Sequence, residues 1–97
     1  MSDDELRRRI AAAERTRDDL RRLQRASAID RCRSAVSRAR SAREEGLLRS
    51  AIDAMRTAEA EIAIAAGSDE LPSLAREVDS AWDELTRAIC RRVGEES

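Results

Sequence analysis

Residues 15–44, RTRDDLRRLQRASAIDRCRSAVSRARSARE, hold ten arginines, four acids and no lysine. How this stretch is read decides the fold. At about 100° per residue, Leu6, Ile10, Ala13 and Leu20 form one helical stripe that enters the segment, with Leu23 on its edge. A second stripe, Ile29, Cys32, Val36 and Ala39, lies on a face rotated by roughly 120° or more from Leu23. No Gly or Pro separates the two, but Ser27 followed by Asp30 has the spacing of a helix cap, and a phase jump is what a chain reversal leaves behind. The expectation is therefore a turn at 25–28, with one long kinked helix as the alternative.

Clearer signals stand on either side. Ser2 with Glu5 three residues on is a capping-box pattern, and Asp3 and Asp4 suit the positive end of a helix dipole. Gly46 after Glu44 and Glu45 fits a left-handed C-terminal cap, with Leu47 placed for its apolar contact. Leu48, Ile52, Met55 and Ile62 then form a stripe that Gly67 ends. Ser68-Asp69-Glu70 restarts the chain, and Pro72 falls in a first turn, where its missing N–H costs little. Leu71, Val78, Trp82, Leu85, Ile89 and Val93 form the last stripe.

These signals predict an all-α fold: a compact antiparallel four-helix bundle with very short connections, helices at 3–25, 28–45, 47–66 and 69–93, and residues 1–97 forming one domain. Leu20, Val36, Ile52, Met55, Trp82, Leu85 and Ile89 are expected in one core. Leu, Ile and Val make up only 17 of the 97 residues, and Phe is absent, so the abundant alanines must let the helices approach closely. A net charge of −1 argues against disorder.

On the second stripe, Arg33 and Arg40 flank one side and Arg31 and Arg38 the other. Residues 1–49 carry 14 Arg and 9 acids, residues 50–97 carry 5 Arg and 11 acids, so the halves are complementary. The arginines are expected to pair with acids on neighbouring helices, and specific nucleic-acid binding is not expected, because Trp82 is the only aromatic side chain available for stacking.

His, Lys, Tyr, Phe and Asn are absent, which removes the usual bases beside a thiol or hydroxyl nucleophile, so no catalytic residue, metal ligand or cofactor site is assigned. Cys32, mid-stripe, and Cys90, toward Asp79 and Asp83, read as inert thiols. Four polar residues fall on predicted core faces: Arg17, Gln24, Arg43 and Glu59. Either their stems cover apolar surface while their heads reach water, or Glu59 pairs with one of the arginines; the contrasting expectation is a polar lining for a small-ligand cavity.

Ser2-Asp3-Asp4-Glu5-Leu6, Gly67-Ser68-Asp69-Glu70-Leu71-Pro72, the single Trp82 and the restricted alphabet together resemble a computationally designed helical bundle. The resemblance implies a scaffold with no natural activity, needing no cofactor or partner. A ligand- or helical-peptide-binding module and a weak anion or nucleic-acid binder are the contrasting expectations. No long apolar run is present, and the expected location is cytoplasmic. The chain is expected to be monomeric. Ile64, opposite Ile52, Met55 and Ile62, is expected to be buried by a second partner of a central helix; with Ala60 it would otherwise give a small homodimer patch.

Overall fold

The computed structural model describes residues 2–96. It has three helices: α1 (Asp3–Glu44), α2 (Leu48–Ile64) and α3 (Leu71–Glu96), and among the described residues there is no strand. The expected four-helix count is therefore corrected to three. Residues 25–28 lie inside α1, a 42-residue helix about 63 Å long at 1.5 Å per residue. Ala26, Ser27 and Ala28 tolerate helix, and without Gly or Pro nothing stops propagation across them.

The caps behave as expected. The Ser2 hydroxyl accepts from the Glu5 amide at 3.2 Å. At the other end of α1, Gly46 takes φ 80°, the Leu47 N–H donates to Ala42 C=O at 2.8 Å and the Gly46 N–H to Arg43 C=O at 3.0 Å. That is a Schellman motif, which satisfies the last carbonyls while reversing the chain. α2 ends before Gly67, also left-handed at φ 92°, against whose Cα side the Arg25 guanidinium packs.

The core occupies only the C-terminal part of α1. Ala28, Ile29, Cys32, Ala35, Val36 and Ala39 are buried there against Ala51, Met55 and Ala58 of α2 and Leu74, Val78, Ala81 and Leu85 of α3. Small side chains at so many of these positions allow the close helix approach that an alanine-rich composition demands. Of the expected core residues, Val36, Met55 and Leu85 are buried, whereas Ile52, Trp82 and Ile89 are half-buried and pack on its edge. Leu20 is exposed.

Every side chain from Ser2 to Gln24 is exposed. The first half of α1 therefore projects from the bundle as an arm, and the molecule measures 76 × 20 × 17 Å. Ile64 is also exposed, at 49 %, so it is not buried by a second partner of α2 as expected.

Candidate interaction surface

The order of the ion pairs fixes how the helices run. Arg33 lies 3.4 Å from Glu70 and 3.9 Å from Glu77, and Arg40 lies 3.2 Å from Glu84, so α3 ascends beside α1 in the same direction. Arg31 reaches Glu61 near the end of α2 at 3.0 Å, so α2 runs antiparallel on the opposite flank of α1. Arg38 lines a groove with Thr57 and Glu61 on that same flank. The two arginine rows thus serve two different helices, as the flanking pattern predicted. Each such exposed pair contributes little, up to about 1 kcal/mol, and specifies which helix lies where.

The four polar positions expected on core faces do not meet. Arg17 and Gln24 are on the exposed arm, because the helix they belong to has no neighbour there. Arg43 is half-buried: its Nη2 lies 3.7 Å from Glu84, and its Nε is enclosed with no partner within the chain. Glu59 accepts a hydrogen bond from Trp82 Nε1 at 2.7 Å rather than pairing with an arginine. The indole ring can thus bury its body at the α2–α3 edge while its N–H stays satisfied. No shared cavity joins these residues. The surface instead carries open grooves, among them one of about 300 Å³ at Arg22, Arg25 and Gly67–Glu70, one of about 230 Å³ at Arg43, Gly46 and Arg92, and one of about 240 Å³ at Arg31, Arg38 and Glu61.

Chemistry is equally sparse. Burial pushes the Cys32 thiol above its ordinary pKa, Glu77 and Glu61 add to the rise, and Arg33 opposes it. Such a thiol stays protonated and unreactive at neutral pH. Cys90 is exposed, and both cysteines are free. Among the described residues no group of His, Cys, Asp or Glu is arranged to hold a metal ion, and no helix is long and apolar enough to cross a membrane.

The surface that stands out is the arm. Leu6, Ile10, Leu20 and Leu23 are 48–65 % exposed, and among the described residues they are four of the seven large exposed apolar side chains. Starting at Leu6, steps of four and three residues pass through Ile10, Ala13, Arg17, Leu20 and Gln24, the seam of a helix built to pack lengthwise on another helix. Sequence periodicity placed this stripe against the bundle; the structure leaves it uncovered by the same chain. No protein-family model, curated protein or solved structure matches this chain.

Proposed function

We propose that this protein is a non-catalytic assembly scaffold: a small three-helix bundle that holds out the first half of α1 as an interaction helix. The observation that carries the reading is the heptad-spaced apolar stripe on residues 6–24, solvent-exposed along its whole length. A row of large exposed apolar side chains on an otherwise charged surface, here Leu6, Ile10 and Leu20 with Arg17 between them, marks a site of association. The activity is to fold and to present a helix, in keeping with the resemblance to scaffold-like bundles. The protonated thiol of Cys32, the absence of His and Lys and the scattered polar candidates support a role without catalysis.

Amide hydrogen exchange on the full chain at high dilution tests it. An unpartnered helix of about 22 residues is marginal in water, so amides of residues 6–24 should exchange far faster than those of 28–42. Equal protection of the two segments in the monomer would mean that the arm is packed within its own chain and offers nothing to a partner.

A further inference from the structure

We infer that the occupant of the arm is the arm of a second copy of this chain, running antiparallel; the inference rests on the scaffold reading above and names its partner. Two observations carry it, and a third sets its dependence on salt.

The first is continuity with an interface already present. Continued past Gln24, the seam steps in threes and fours to Ala28, Cys32, Ala35 and Ala39, all buried. α2 lies along this part of α1 on the flank of Arg31 and stops at Ile64, level with the start of the arm. A second arm antiparallel to the first takes up the line of α2 where α2 ends, and runs in the direction that α2 runs. A parallel copy would need, from residue 28 onward, the space that α2 fills in both molecules.

The second is fit. The arm from Asp3 to Gln24 is about 33 Å long, so two arms cover one another end to end. In the register that pairs Ile10 with Leu20 of the second copy, Arg17 lies over Ala13 and Leu6 over Gln24. The guanidinium then has a small residue opposite it and a route to water, whereas a parallel pair would set Arg17 against Arg17.

The third is charge. Residues 3–24 carry seven arginines and six acids, close to neutral, which suits a copy of the same helix and lacks the cationic excess of a nucleic-acid arm. Arg7 stands beside Arg21 of the second copy and Glu14 beside Glu14, so added salt screens like charges and strengthens the pair. Binding to phosphates would weaken with salt.

Sedimentation equilibrium on the full chain, from about 1 to 300 µM, should show a monomer–dimer equilibrium with half-association in the tens of micromolar, roughly the range of a short, partly polar seam. The dimer should be about 120 Å long, two 76 Å molecules overlapping along their arms. Association should tighten between low and 0.5 M salt. Ile10→Glu with Leu20→Glu should abolish the dimer while leaving Trp82 fluorescence, a probe of the bundle, unchanged. Orientation follows from spin labels at Asp4→Cys in a Cys90→Ser background: antiparallel arms separate them by about 33 Å along the axis, parallel arms hold them within about 20 Å. A monomer at every concentration, a dimer that survives the double substitution, or the short label distance overturns the inference. If the chain stays monomeric while the arm amides remain labile, the second copy is wrong and the interaction helix stands; if the arm amides are protected in the monomer, both fall.

Discussion

Leu85 and Leu20 offer one chemistry in two environments. Leu85 is 2 % exposed, on α3 among Val36, Met55 and Val78 of the core, whereas Leu20 is 55 % exposed on the arm. Truncating Leu85 to Ala removes buried methyl groups and leaves a cavity, a change that costs about 3–4 kcal/mol in a well-packed site. The folding unit is small, and at about 0.1 kcal/mol per residue it has roughly 7 kcal/mol to lose. With a urea m-value of about 1.5 kcal/mol/M the midpoint should fall by about 2 M. Leu20→Ala removes no intramolecular contact, and Ala is the better helix former, so its effect should lie within about 0.5 kcal/mol. Urea titration followed by Trp82 fluorescence, on protein dilute enough to be monomeric, reads both. Comparable midpoint shifts for the two variants would show that Leu20 is part of the bundle and that the arm has been misplaced.

Other outcomes follow from single sites. Gly46→Ala and Gly67→Ala each force a Cβ into left-handed backbone and should cost about 1 kcal/mol in thermal or urea unfolding. Trp82→Ala should cost about 2 kcal/mol, below the roughly 3–5 of an enclosed aromatic, because the ring is half-buried at the bundle edge; a loss under about 0.5 kcal/mol would place it outside the core's rim. A thiol reagent at pH 7.5 should label Cys90 within the mixing time and Cys32 only as fast as the bundle opens. Because burial raises the Cys32 pKa in the folded state, the unfolded thiol ionises first, so this group's contribution holds below about pH 8.5 and stability declines as pH rises past it. Cys32→Ala should remove that alkaline slope.

The parts of the fold legible in the sequence were those written in local chemistry. Ser2, Gly46, Gly67 and Pro72 act through their own backbone geometry, and each marks a boundary within a residue or two of the one observed. The arginine rows were legible for a related reason: positions two apart on opposite flanks of a stripe must face different neighbours, and they do, with Arg31 on α2 and Arg33 and Arg40 on α3. The missed turn at 25–28 has a different origin. A jump in stripe phase arises either where a chain reverses or where a straight helix changes partners, and periodicity alone carries both meanings. Here the stripe rotates because residues 28–42 are wedged between α2 and α3, whereas residues 6–24 face one direction with nothing on it. The absence of Gly and Pro at 25–28 was the better guide. Leu20, Arg17 and Gln24 were assigned to a core by the same error. An arginine was the partner weighed for Glu59 because charge was considered and the indole N–H of Trp82 was not. Ile64, the last residue of α2, is exposed while its neighbour Ala65 is fully buried and Ile62 packs on the core, so the all-round apolar segment has one covered side and one open one.

Small-angle scattering on the monomeric fraction tests the continuous α1 most directly. A straight α1 with a projecting arm requires a radius of gyration near 20.0 Å and a maximum dimension of at least 76 Å. A helix that reversed at 25–28 and packed its first half onto the bundle would give about 13 Å, the value for a compact domain of this length, and that result would contradict both the arm and everything built on it.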